Sequence, residues 1–368
     1  MKEMKKLERK NKGMINLNPI QTGGILTKAA KRALIEFGDG YSVYDISPGL
    51  ELEEMPAIRE FVSELLPKFL GADIVRLTLG AREAMFSVMH SVAKPGDAVI
   101  VDGNRHYTTV TAAERAGLKV IEVRSSGEPE YKIDVNDYED LIKRHNPRLI
   151  LLTYPDGNYG NLPDAKTLGQ IAKKYNIPYL LNGAYSVGRM PISMKELGAD
   201  FVIGSGQKSM ASSGPIGVLG MNKKWKKIML RKSKMYPKKE IEFLGSELRG
   251  TAVATLIASF PEVKERIKKW NKEVKKARWF SKEMEKLGIK QMGEKPHRHD
   301  LMFFKADPLY KISLKHPKGR FFLYYELKKK GITGIKPGLT KYFKLSTFGI
   351  PEEKLRYVID SFREILET

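Results

Sequence analysis

The chain has 368 residues, 42% of them apolar, enough to bury the core of one large domain and a smaller second one. It has no cysteine, which excludes disulfides, Cys-ligated metal and any thiol nucleophile of its own. The 65 basic residues outnumber the 43 acidic ones, and the net charge of +22 favours a polyanionic partner, nucleic acid first, over a merely solvated basic surface.

Residues 1–13 form a basic arm. INLNPIQTGG (15–24) reads as an ordered loop, and Thr27 is placed to cap a helix running to about Phe37. The turn-rich GDGYSVYDISPG (38–49) reads as loop. An amphipathic helix starts at Pro56 and runs through Leu70. From Asp73 apolar strands alternate with helices: Ile74–Leu79, Ala98–Val101, Lys119–Val123, Leu149–Thr153, Tyr179–Leu181, Phe201–Ile203 and Gly217–Gly220. This pattern predicts an α/β chain with a mostly parallel seven-stranded sheet and helices on both faces. After about Met221 the composition changes. Residues 223–236 are basic and 251–287 read as long helices. Strands are expected at Asp300–Phe304 and Lys341–Leu345, with helices near Gly319–Lys330 and from Pro351. The expected organisation is an arm and loop segment over 1–50, a large domain over 51–236, and a smaller C-terminal α+β domain over 237–368 with a long connecting helix. No apolar run is long enough to span a bilayer and no signal peptide is visible, so a cytoplasmic chain without a membrane partner is expected.

The chemistry concentrates between Pro178 and Pro215. A strand ends at Asn182, and the next ends in Gly204-Ser205-Gly206-Gln207-Lys208-Ser209, with Lys208 26 residues after Asn182. A lysine just past a buried strand, among small residues, packs poorly but is well placed to bond an aldehyde. This is the pattern of the pyridoxal-phosphate (PLP) lysine in fold-type-I enzymes; a surface lysine in a polar turn is the ordinary alternative. Ligands of such sheets bind beyond the carboxyl ends of the strands, where Asn182 and Lys208 lie. Asn182 stands where most PLP enzymes carry an Asp. An amide supports the ring-nitrogen charge less, which suits β-elimination with a good leaving group. Gly80-Ala81-Arg82-Glu83 opens a helix after the first strand, a place for the cofactor phosphate. His106 follows the next strand and could stack on the ring or be structural. Asn158, in TYPDGNYG, is a candidate donor to the phenolic oxygen or a turn residue, and both readings are compatible. Arg249-Gly250-Thr251 could add phosphate contacts across a dimer interface or simply cap a helix at Thr251. The helix from Val263 to Arg278 carries basic residues that read as a solvated face or an RNA-tracking surface. No metal site is expected.

INLNPIQTGG, GDGYSVYD, GAREAMF, AERAGL, TYPDGNYGNLPD, NGAYSVGRMP, ADFVIGSGQKSMASSGPIGV, HDLMFF, GRFFLYYELK and GIKPGLTKYFKLST together closely resemble the Sep-tRNA:Cys-tRNA synthase family, over nearly the whole chain from Ile15. The resemblance implies an archaeal, homodimeric, PLP-dependent transferase of fold type I. Such an enzyme converts O-phosphoseryl-tRNA(Cys) to cysteinyl-tRNA(Cys) with a sulfur donor, with phosphoseryl-tRNA synthetase as a possible partner. It implies Lys208 as the Schiff-base lysine, His106 stacked on the ring, and cofactor contacts from Ala81, Arg82, Asn182, Ser205, Gly206 and Gln207. Family members usually carry a C-x-x-C pair and a third cysteine where this chain has Tyr44, Ser47 and Ser246, and a His where it has Gln207. With no thiol present, sulfide has to arrive free or from a partner. Two other readings stay open: β-elimination or replacement on another aminoacyl substrate, and a non-catalytic tRNA- or partner-binding paralogue.

Overall fold

The computed structural model describes residues 11–39, 56–245 and 248–367; Tyr44, Ser47 and Ser246 lie outside the described residues. The N-terminal segment is more regular than a loop. Strand β1 (Ile15–Asn16) precedes a short helix, Pro19–Gly23, whose first N–H groups, those of Ile20 and Gln21, donate to the Asn18 side chain. Proline at the first helical position costs no hydrogen bond, so a stretch expected to be an ordered loop starts a helix here. Thr27 caps the helix Lys28–Glu36 through the Ala30 N–H, as expected. The helix from Pro56 also forms, with a π-helical turn, Phe61–Leu65, inside it.

The central sheet has seven strands, each within two residues of its expected limits: β2 (Ile74–Thr78), β3 (Ala98–Asp102), β4 (Lys119–Val123), β5 (Leu149–Thr153), β6 (Tyr179–Asn182), β7 (Phe201–Ser205) and β8 (Gly217–Met221). Their order is β2-β8-β7-β6-β5-β3-β4. Only β8 runs against the rest, pairing antiparallel with both β2 and β7. Both faces are covered, so the strands read as continuous apolar runs whose side chains alternate between two cores. In β5, Ile150 and Leu152 join a core built with the helices Ala165–Lys174 and Gly250–Ile267. Leu149 and Leu151 join the opposite core, against Ala81–Val92 and Tyr107–Arg115.

The C-terminal part holds an antiparallel sheet of β9 (Lys290–Met292), β10 (Leu301–Lys305) and β12 (Tyr342–Ser346), with β10 in the middle. Strand β11 (Ile332–Thr333) pairs in parallel with β1, and Leu17 is buried in this domain's core. Residues from the start of the chain thus complete the small domain. The long basic helix is broken at Lys268–Lys269 into Gly250–Ile267 and Trp270–Lys286. Its first part packs on the large domain's core through Val253, Leu256, Phe260 and Val263. Among the described residues no helix is long and apolar enough to cross a membrane.

Candidate active site

A cavity of about 340 Å³ opens beyond the carboxyl ends of the parallel strands. Its floor comes from the turns after β2, β3, β5, β6 and β7. Its roof comes from Asn18, Pro19 and Ile20 at the start of the N-terminal helix and from Gly334, Lys336, Leu339 and Lys344 of the small domain.

Lys208 lies in the one-turn helix Gly206–Ser209 that follows β7. The turn is tight: Gly206 N–H donates to Ile216 O at 2.7 Å, and a side chain at Gly206 would collide with Ile216. Burial, then Arg189, Lys344 and Arg82, lower the Lys208 pKa to about 8, so that about a tenth of the amine is neutral at pH 7. Removing a cation from water favours the neutral amine, which is the nucleophile.

Also lining the cavity, Gly80 (φ 141°) precedes the twelve-residue helix Ala81–Val92 and leaves its first N–H groups without a side-chain cap at that position. Glu83 reaches back to the Leu79 N–H at 2.5 Å, and Thr78 Oγ1 donates to Gly80 O at 3.0 Å, so the turn is held from both sides. Gly217 of β8 approaches this turn so closely that a Cβ would strike Thr78 Oγ1 and the Gly80 carbonyl group. The arrangement presents a helix N-terminus and Arg82 to an anion.

Asn182 ends β6, is buried, and lines the cavity. Its Oδ1 accepts from the Ala184 N–H at 3.3 Å, leaving the amide NH2 as the group available to a ligand. His106 caps the helix Tyr107–Arg115 by accepting from the Thr108 N–H at 3.3 Å. Burial, then Lys208, Lys344 and Arg82, lower its pKa to about 4, so its ring is neutral and free of charge repulsion toward the cations around it. Ser205 and Gln207 also line the cavity, and Gly206 is buried directly behind them.

Three expected residues stand elsewhere. Asn158 does not line the cavity; its amide is directed at Asn104 O at 3.4 Å, and its N–H helps hold the turn by donating to Asp156. Thr251 donates its hydroxyl to Phe37 O at 2.7 Å, and exposed Arg249 precedes the helix Gly250–Ile267; neither lines this chain's cavity. In the basic helix, Arg266 turns inward to the carbonyls of Gly23, Gly188 and Ser209 instead of facing solvent.

A cluster that the sequence reading passed over lies directly behind Lys208. Arg189 is fully buried and is satisfied all round. It donates to Ser209 Oγ (3.0 Å), the Tyr185 hydroxyl (2.8 Å), Asp300 Oδ2 (2.8 Å) and Pro19 O (2.9 Å). Burial raises the Asp300 pKa, but Arg189, His299 and the Ser346 hydroxyl more than reverse this and hold the carboxylate ionised. One ion pair thereby joins the lysine helix, the N-terminal turn and the small domain. The only sequence signal was an arginine inside GRMP, a motif that shows nothing of its distant partner.

The residues present fit a phosphorylated pyridine aldehyde. The helix start at Gly80–Arg82 suits its phosphate, Lys208 its carbonyl, His106 its ring face and Asn182 its ring nitrogen.

A sequence profile of the family described as O-phosphoseryl-tRNA(Sec) selenium transferase, SepSecS, matches residues 62–367. The O-phospho-L-seryl-tRNA:Cys-tRNA synthase of Methanosarcina acetivorans is 55% identical, over 98% of this chain and 95% of its own length. That of Methanocaldococcus jannaschii is 49% identical, over 96% of each. Among solved structures, a SepCysS in complex with a SepCysE N-terminal domain superposes with a TM-score of 0.91 at 48% identity, covering 98% of this chain and 96% of its own. A cysteine desulfurase from Thermococcus onnurineus shares the fold alone, with a TM-score of 0.76 at 17% identity, over 96% and 95% of the two chains. The fold is that of the PLP-dependent fold-type-I enzymes, and this chain belongs to the O-phospho-L-seryl-tRNA:Cys-tRNA synthase family.

Proposed function

We propose that this protein converts O-phosphoseryl-tRNA(Cys) to cysteinyl-tRNA(Cys), displacing phosphate from the β-carbon with a sulfur nucleophile. The observation that carries the reading is an amine of lowered pKa, Lys208, in a cavity whose described lining holds three further cations, Arg82, Lys336 and Lys344, and no carboxylate. When bound, pyridoxal phosphate supplies the electron sink that stabilises negative charge on the substrate's α-carbon. Lys208 captures the carbonyl and, once released, takes the proton from the α-carbon. Ala81, Arg82 and the helix start hold the cofactor phosphate, and Asn182 donates to the ring nitrogen. His106 covers the ring, and Ser205, Gly206 and Gln207 shape the wall beside Lys208. The phosphate then leaves as a stable anion, which hydroxide from an unphosphorylated serine does not match.

The chain has no cysteine, so sulfur arrives as free sulfide or from a partner protein. The assembly proposed is a cytoplasmic homodimer in which Arg249 and Thr251 complete the cofactor contacts in the partner subunit's cavity, while Asn158 holds the turn beside Gly157 in its own. The test is to incubate the cofactor-loaded protein with O-phosphoseryl-tRNA(Cys) and sulfide and identify the aminoacyl product by mass spectrometry. Cysteinyl-tRNA is expected. Phosphate release without cysteine would mean that the protein acts as a β-eliminase on this substrate, and no change in the aminoacyl group would refute the reading. Light scattering checks the dimer.

A further inference from the structure

The cavity's positive charge comes from two sides. Arg82 stands on the large domain at the start of the helix Ala81–Val92, whereas Lys336 and Lys344 reach in from the small domain. The phosphate of the proposed cofactor accounts for the first group and leaves the second unmatched. Lys344 lies on β12, half-buried, and its Nζ donates to Gly157 O at 2.7 Å. That carbonyl fixes the amine in place without neutralising it. Asp156 is the acid whose field reaches Lys344, and it is already engaged with the N–H groups of Asn158, Tyr159 and Asn161. Burial pushes the Asp156 pKa up to about 7, so it is a weak counter-charge. Burial, then neighbouring Lys336, push the Lys344 pKa down. Two ammonium groups sharing such a wall are mutually unfavourable until an anion joins them.

We infer that Lys344, with Lys336 outside it, binds the side-chain phosphate of the substrate and is the residue that distinguishes a phosphorylated from an unphosphorylated seryl group. The assignment rests on the function proposed above. In the reaction the bond between the β-carbon and the ester oxygen breaks, and its electron pair stays on that oxygen. Lys208 takes the α-proton, the sulfur nucleophile forms the new carbon–sulfur bond at the β-carbon, and the protonated Lys208 returns the proton to the α-carbon. The departing phosphate therefore gains charge beside a fixed ammonium, an interaction that strengthens as the bond breaks. A phosphodiester of the RNA would also suit Lys344, and the experiment separates the two sources.

Filter binding measures Kd for phosphoseryl-tRNA(Cys) and seryl-tRNA(Cys) on the cofactor-loaded Lys208→Ala protein, which does not turn over. The measurement is repeated with Lys344→Met or Lys344→Arg added. Lys344→Met is expected to reduce the preference for the phosphorylated form by roughly 10- to 100-fold. Its affinity for seryl-tRNA should hold, which also reports an intact fold, and Lys344→Arg should keep most of the preference. Equal weakening of both tRNAs would assign Lys344 to the RNA and overturn the inference, as would a preference that survives Lys344→Met. If the protein with Lys344 intact shows no preference, the substrate reading falls along with the assignment.

Discussion

Two cations stand on either side of one short helix, Gly206–Ser209, and their surroundings treat them in opposite ways. Arg189, behind it, is fully buried, and Asp300, Tyr185, Ser209 and the Pro19 carbonyl take its donors. Lys208, in front, faces a cavity with no carboxylate among its described lining residues, and its pKa is lowered to about 8. A guanidinium cannot lose its charge at accessible pH, so burying it requires a partner; an ammonium can, so burying it without one makes a nucleophile. The junction pairs its buried cation, and the proposed reactive site leaves its own without a carboxylate partner among the described residues.

The hardest test of this contrast is Lys208→Ala. It should lower turnover on phosphoseryl-tRNA by at least about 10³-fold while leaving the melting temperature near that of the parent, because the amine contributes chemistry rather than cohesion. Near-parental turnover would end the assignment. Arg189→Met should do the reverse to stability. It strands a buried carboxylate and should cost ~3–5 kcal/mol in a denaturant titration. Adding Asp300→Leu should recover much of that loss, since an apolar pair leaves no orphaned charge. If the double variant is as unstable as the single one, the ion pair is not what holds the junction.

Acidity sharpens the comparison further. The rate at which the apoprotein covalently captures pyridoxal phosphate should rise with pH and level off above about 8, the Lys208 value. Lys344 is among the charges that depress that value, so Lys344→Met should move the curve to higher pH. A rate that rises unbroken to pH 10 would show that the lysine is not perturbed. The smallest effect concerns His106, which both caps a helix and faces the cavity. His106→Ala should cost about 1 kcal/mol of stability, whereas His106→Asn, which can still cap, should cost less while weakening cofactor binding just as much. Equal loss of stability in both would mean that the cap is not what His106 contributes.

The placement of Asn182 and Lys208 at one cavity was legible in the sequence because it is written at the ends of strands. An apolar run closing in Asn182, or in a small-residue turn bearing Lys208, marks its own position, and the sheet places those ends side by side. Thr27 announced its cap in the same way. The Asn- and Pro-rich stretch 15–24 misled, since it reads as loop yet holds a strand that pairs with β11 and a helix capped by Asn18. Arg249 and Thr251 were readable as a motif, yet folding one chain leaves them away from its cavity.

Hydrophobic periodicity, strand-end glycines and the lysine spacing were therefore enough to determine the sheet, its two covered faces and the floor of the cavity. Each depends on residues close together in the chain. Only the tertiary structure decided the roof. Asp300 meets Arg189, Lys344 meets the Gly157 carbonyl and β1 joins β11 across more than a hundred residues each. Charge pairing at such separations leaves no periodic trace, because any of the chain's 65 basic residues could have been the one turned inward.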